Sequence, residues 1–296
     1  MVLTPLRRAR GLIAGVVGWL VLAGCAAHQA PREGPLLLGT RFTLDSKVLG
    51  GPREVNVWLP PDYEAGTGRY DVLYLLDGGA AQDFPHIAGL GQLGALSWTY
   101  QSLIIVGVAT VDRQAELTPP AHSARFQRGF PPGWRRGALP RVPRARGAAL
   151  RRGALPHRAV MGESLAGLFV VDTFLSAPGA FDDYVAVSPS LRWDEQRLAA
   201  EAPARLAQHD AAKRRLYLAL GDEGGTMRTA VDALVKALEA APPKGLSRRF
   251  DDRRAETHAT IYHPVALSAL RWLYALPQED SGEDPWFMTV DQPPPK

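Results

Sequence analysis

Residues 160–169 read VMGESLAGLF, and the fold is decided by the polar pair Glu163-Ser164 near their centre. Ahead of the pair, RAVM at 158–161 has the length and apolarity of a buried strand. Behind it, LAGLFVVDTFL at 165–175 has the pattern of a helix with little polar surface. A chain that turns from strand to helix within two residues holds the central one in a strained backbone conformation, with its side chain exposed above the sheet. Positions two residues either side of that centre lie against the neighbouring elements and must be small. Gly162 and Ala166 satisfy the requirement, and Gly167 follows. The pattern Gly-x-Ser-x-Ala is one methyl away from Gly-x-Ser-x-Gly. Alone it is weak; its position between a strand and a helix gives it meaning. Ser164 is the candidate nucleophile.

Working outward, short and nearly all-apolar runs recur: DVLYLLDGG (71–79), SLIIVGVAT (102–110), HRAVMG (157–162), YVAVSPS (184–190), RRLYLALGD (214–222) and THATIYH (257–263). Continuous apolarity indicates strands covered on both faces, as in a parallel sheet. TRFTLDSKVLGGPREVNVWLPPDY (40–63) reads as two strands joined by a turn at Gly50-Gly51-Pro52. Helical patterns fall between the strands at 165–175, 195–208, 226–240 and 265–276. The alternation predicts an α/β domain over 36–280, a mostly parallel central sheet with helices on both faces. A Pro-rich, acidic tail occupies 281–296.

A serine hydroxyl needs a base within hydrogen-bond reach and a third group to orient that base. On a strand–elbow–helix scaffold of the α/β-hydrolase type, the chain order is nucleophile, acid, histidine. Three histidines other than His157 and the earlier ones follow Ser164: His209, His258 and His263. His209 lies in a polar helical stretch and reads as a solvated surface residue. His258, preceded by RAET, is preferred as the base over His263, which precedes Pro264 and reads as a helix opening. GDEGG at 221–225 offers two carboxylates after a strand; Glu223 is preferred over Asp222. The oxyanion donors are expected at the Leu165 amide and at Gly78 or Gly79 after LYLLDGG. No metal or organic cofactor is expected, and one cysteine excludes both an internal disulfide and a Cys-based zinc site.

With these residues in place, the chain resembles the serine esterases that include esterase D and the siderophore esterases of the ferri-bacillibactin type. The resemblance rests on VNVWLPPDY, YDVLYLLDG, IIVGV with DRQAELTPP, VMGESLAGLFVVDTF, FDDYVAVSPSLRWD, EGGTM and THATIYHPVALSALRWLY, spread over 41–120 and 157–275. It implies an α/β-hydrolase fold and a small-molecule ester substrate cleaved through an acyl-enzyme. It gives the roles of nucleophile, acid and base to Ser164, the carboxylate before GGTM and His258. It also implies a substrate-binding role for Arg113. Related members often carry a second arginine in that stretch; Ala115 stands there here, which argues against an anionic or catechol-bearing substrate. A non-catalytic envelope lipoprotein and an acyltransferase of the same fold are the rival readings.

The N-terminus carries Arg7, Arg8 and Arg10, then GLIAGVVGWLVL, then Leu22-Ala23-Gly24-Cys25. A basic head, a short apolar run and small residues before a break describe an export signal over 1–24. The run is too short to span a bilayer, which takes roughly 20 apolar residues. Leu-Ala-Gly-Cys also resembles a bacterial lipobox. That resemblance implies lipidation at Cys25, a flexible tether over 25–35, membrane attachment through the acyl chains, and a location in the cell envelope.

The formal charge of +4 is local in origin. Between Leu117 and Gly162 there are ten arginines and no acidic residue; setting them aside leaves 24 basic residues against 30 acidic. Nucleic-acid binding is therefore not expected. Residues 121–157 are rich in Arg, Pro, Gly and Ala, and repeat RRGALP at 135–140 and 151–156. The stretch is expected to be loop-like and poorly packed. Codon degeneracy permits GALPRVPR (137–144) to read, one base later, as Arg-Phe-Leu-Ala-Phe-Leu, so a pair of compensating frameshifts is a candidate origin.

Overall fold

Two antiparallel pairings open the sheet and parallel ones complete it. In a computed structural model the described residues are 34, 36–46, 50–63, 69–130 and 157–276. The chain divides after Leu37, and the fold lies wholly in the unit that begins at Leu38. The signal segment, Cys25 and its tether apart from residue 34, most of the Arg/Pro stretch (131–156) with its frameshift reading, and the 281–296 tail lie outside the described residues.

The strands are β1 (Thr40–Ser46), β2 (Gly51–Trp58), β3 (Asp71–Leu76), β4 (Leu103–Val108), β5 (Arg158–Glu163), β6 (Asp183–Val187), β7 (Arg214–Gly221) and β8 (Leu246–Arg253). They form one sheet in the order β1-β2-β4-β3-β5-β6-β7-β8. β1 runs antiparallel to β2 and β2 to β4; from β4 to β8 every pair is parallel. The helices are α1 (Phe84–Ser97), α2 (Arg113–Leu117), α3 (Ala124–Gly129), α4 (Leu165–Ser176), α5 (Trp193–Leu206), α6 (Gly225–Ala240) and α7 (Tyr262–Leu273).

Alternate residues of the central strands face opposite layers. Val160, Tyr184, Ala186, Leu216 and Leu218 pack with α4, α5 and α6. Leu73, Leu75, Met161, Val185, Val187 and Tyr217 pack with α1 and α7. Both faces are covered, which is why these strands read as unbroken apolar runs. Leu168 and Phe174 of α4 are fully buried, and truncating either to alanine should cost roughly 3–5 kcal/mol. The parallel strands end together at one edge of the sheet, the usual place for a site in such folds.

Four expectations change. THATIYH is not a strand: Thr257–Thr260 form a turn, the Thr260 hydroxyl accepts from the Thr257 amide at 3.0 Å, and Tyr262 opens α7. The last strand is instead β8, LSRRFDDR, whose charges hid it. An edge strand presents one open side to water, so it tolerates charge that a central strand does not. Arg253 pairs with Asp251 within the strand, and Asp252 pairs with Arg228 of α6 and with Arg254 just past the strand end.

Helix α1 lacked a sequence signal because three glycines interrupt it. Two of them serve packing: a Cβ on Gly91 would lie 2.7 Å from Ile105, and one on Gly94 would lie 2.3 Å from the Tyr100 ring. Residues 121–130, expected to be loose, are built in. Asp194 accepts from the His122 and Ser123 amides at 2.9 and 2.8 Å. Ser123 caps α3, and Phe126 and Phe130 pack their rings 5.2 and 5.1 Å from that of Trp193. His209 is not solvated either. Its ring packs edge-on to Phe174, centroids 4.9 Å apart, and this burial lowers its pKa.

Candidate active site

Ser164 stands between β5 and α4 with φ 60° and ψ −114°. A non-glycine residue at positive φ is strained and needs surrounding structure to hold it there. Here its amide donates to the Val187 carbonyl at 3.0 Å, and its carbonyl accepts from the Leu168 and Ser190 amides, each at 2.9 Å. The small-residue rule has a direct geometric cause. A Cβ on Gly162 would sit 2.6 Å from the Cβ of Ala166 and 2.7 Å from its backbone carbonyl carbon, so position 162 must be glycine. On Gly167, a Cβ would come within 2.8 Å of the Val187 carbonyl oxygen. Alanine at 166 is therefore accommodated because glycine stands at 162.

The loop after β7 and the turn after β8 bring Glu223 and His258 together. His258 Nδ1 lies 2.9 Å from Glu223 Oε2, leaving Nε2 as the ring nitrogen not engaged by the acid. The second Glu223 oxygen accepts from the Ser188 hydroxyl. Burial pushes the Glu223 pKa up, but the hydrogen bonds from His258 and Ser188 outweigh it and hold the carboxyl below its usual range. His258 moves the opposite way. Its bond to Glu223 raises its pKa against the opposing effect of burial, and nearby Glu163 adds to the rise. Asp222 is exposed and meets neither. His263 lies in the first turn of α7, its Nδ1 2.8 Å from Nε2 of His86.

The loop after β3 corrects one assignment. The Gly78 amide already donates to the Val108 carbonyl at 2.8 Å, so it is not available to an oxyanion. The glycine is there for close packing, since a Cβ would meet Gly107 Cα at 2.3 Å. The Gly79 amide donates to the side-chain oxygen of Gln82 at 2.9 Å. Leu165, first residue of α4, carries an amide that has no acceptor within the helix. Arg113 is clamped: its Nε and Nη2 lie 2.9 and 2.8 Å from Asp77 Oδ2, and about half of its side chain remains exposed.

The Esterase family profile, described as "Putative esterase", matches residues 46–279, most of the chain and all of the elements above except part of β1. The chain belongs to this family.

Among curated relatives, the esterase is 25% identical over 272 residues to the siderophore triacetylfusarinine C esterase of Aspergillus fumigatus, covering 86% of this chain and 90% of the relative. It is 26% identical over 122 residues to the ferri-bacillibactin esterase BesA of Bacillus subtilis, of which it spans only 42%. Among solved structures it resembles an IroE-like serine hydrolase of Shewanella oneidensis (TM-score 0.67, 20% identity, 80% of each chain). It also resembles the siderophore hydrolase EstA of Aspergillus nidulans (TM-score 0.66, 19% identity, 82% of this chain and 98% of that one). The α/β-hydrolase fold expected from the elbow is thereby shown.

Two groups of the esterase's site escaped the sequence reading. Glu163, the last residue of β5, has its carboxyl pushed up to about 7 by burial, against the pull of His258 and Arg113. Ser188 and Ser190 sit just past β6; Ser190 Oγ is 3.3 Å from Ser164 Oγ. VSPS at 187–190 was the available signal, a polar cluster at the end of a buried strand. Among the described residues no three His, Cys, Asp or Glu side chains converge as a metal-binding set.

Proposed function

We propose that this esterase hydrolyses carboxylic esters through a Ser164–His258–Glu223 triad and an acyl-enzyme. The observation that carries the reading is the 2.9 Å bond between His258 Nδ1 and Glu223, formed at the sheet edge where the elbow presents Ser164. Ser164 Oγ attacks the ester carbonyl while His258 Nε2 takes its proton. The same imidazolium then protonates the departing alkoxide, which leaves as the alcohol. Water, deprotonated by His258, attacks the acyl-enzyme and releases the acid. Glu223 fixes the imidazole tautomer and stabilises its charged form. The Leu165 amide is one oxyanion donor.

The substrate class follows the relatives named above: a siderophore-type or other small acyl ester. Arg113 shapes the rim of the site from its anchorage on Asp77, with roughly half its surface available to substrate. Export, and attachment to the envelope through acyl chains on Cys25, complete the proposal. Mass spectrometry should find acyl chains on Cys25 of the wild-type protein and none on Cys25→Ala, with ester turnover unchanged; an unacylated wild-type Cys25 would overturn the lipid anchor.

A fluorophosphonate probe tests the mechanism. Wild-type protein should label at Ser164, and Ser164→Ala and His258→Ala should each lose ester turnover by ~10⁴–10⁶-fold. His263→Ala should label as wild type does. Folded wild-type protein that takes up no probe would return the chain to the non-catalytic reading.

A further inference from the structure

The two helical layers of the molecule are chemically unlike. On one face of the sheet, α5 carries five charged residues and α6 four, as surface helices in water do. On the other face, α1 and α7 together carry one, Arg271, and no acidic residue at all. Helix α1 has Phe84, Ile87, Ala88 and Leu90 turned to the core, yet its outer side is also apolar. Leu93 is 48% exposed, Leu96 66% and Trp98 77%. Leu93 and Leu96 are three residues apart and share a face. Trp98 follows at the left-handed C-cap with φ 49°, a position that projects it beyond the helix. At the end of α7, Leu276 is exposed, and Gln101 ties the two segments through bonds to the Tyr274 and Ala275 carbonyls at 2.7 Å each.

We infer that this face rests on a lipid surface bearing anionic headgroups. Exposed leucines and a tryptophan on α1, with an exposed arginine on the neighbouring α7, suit an interface where apolar side chains enter the acyl boundary, the indole sits at headgroup level and the guanidinium meets phosphate. The absence of acidic residues from both helices removes the repulsion that anionic lipid would otherwise impose. The path of the chain agrees. Leu38, where the folded unit begins, packs into the same cluster as Phe84 and Ile87 of α1, and a Cβ on Gly39 would lie 3.3 Å from the Phe84 ring. Twelve residues separate Cys25 from Leu38, at most roughly 45 Å of extended chain.

The test uses the full chain with Cys25→Ser, so that no acyl chain contributes and the lipid-anchor proposal fails or stands separately. Binding is read by sedimentation with vesicles of phosphatidylcholine and phosphatidylglycerol. Leu93→Ser/Leu96→Ser/Trp98→Ser should lower the bound fraction by at least about tenfold. Leu96→Ser alone, in case the triple variant folds poorly, should lower it measurably. Arg271→Gln should weaken binding about fivefold on these vesicles and not on phosphatidylcholine alone. Turnover of a soluble ester, which reads the triad proposal, should be unchanged in all of them. Equal sedimentation of the parent and Leu96→Ser would overturn the inference. So would a concentration-dependent dimer abolished by the same substitutions, which would make the face a self-interface.

Discussion

At the scale of single residues, the site is a set of opposed pKa shifts. Glu223 is held low by the same hydrogen bond that holds His258 high. Only neutral imidazole accepts the serine proton, so activity should fall as pH drops through the His258 pKa. Because that pKa is raised, the acid limb should lie above 6.5, the ordinary histidine value. Glu223→Gln keeps an acceptor but removes the charge. Its acid limb should move to lower pH, and its turnover should fall by ~10²–10⁴-fold. A pH profile that stays where it was would exclude Glu223 as the acid. The elbow at Ser164 and the pairing of His258 with Glu223 were legible in the sequence because each is announced locally: a strand–helix pinch, a turn before a helix, a polar cluster after a strand. Gly78 was not. What its amide bonds to is Val108, thirty residues away on β4, and no local pattern encodes that partner.

At the scale of elements, the elbow depends on a glycine at 162, where a side chain would strike both the Cβ and the backbone of residue 166. Gly162→Ala would force its Cβ to within 2.6 Å of the Ala166 Cβ and 2.7 Å of the Ala166 backbone. Overpacking of this kind costs about 1–3 kcal/mol, and here it also displaces Ser164. Urea denaturation should show the loss, with turnover falling further than stability accounts for. Ala166→Gly should leave both nearly intact. The buried strands and α4 to α7 could be read directly, since apolar period and length agree there. Helix α1 and strand β8 could not. In α1 the glycines that permit close approach to Trp58, Ile105 and Tyr100 look like breakers. In β8, charges that keep an edge soluble look like loop.

At the scale of the whole molecule, one ion pair joins pieces that sequence keeps far apart. Arg215 on β7 binds Asp183 on β6 through both Nε and Nη2 at 2.6 Å, and its Nη1 reaches the Leu273 carbonyl, also at 2.6 Å, at the end of α7. Asp183 is buried. Asp183→Ala leaves the guanidinium without its partner, and should cost about 2–3 kcal/mol in chemical denaturation while leaving the elbow in place. Loss of less than about half a kcal/mol would mean the pair does not hold the layers together. The loop after β3 shows a different consequence of long-range bracing. Its Gly78 carbonyl takes a bond from Asn56 at 2.9 Å and Gln82 reaches the Thr110 carbonyl at 3.0 Å. Arg113 clamps Asp77 on its other side. A rim fixed in advance gives up little conformational freedom when an ester arrives, so more of the contact energy is left to favour one acyl group over another.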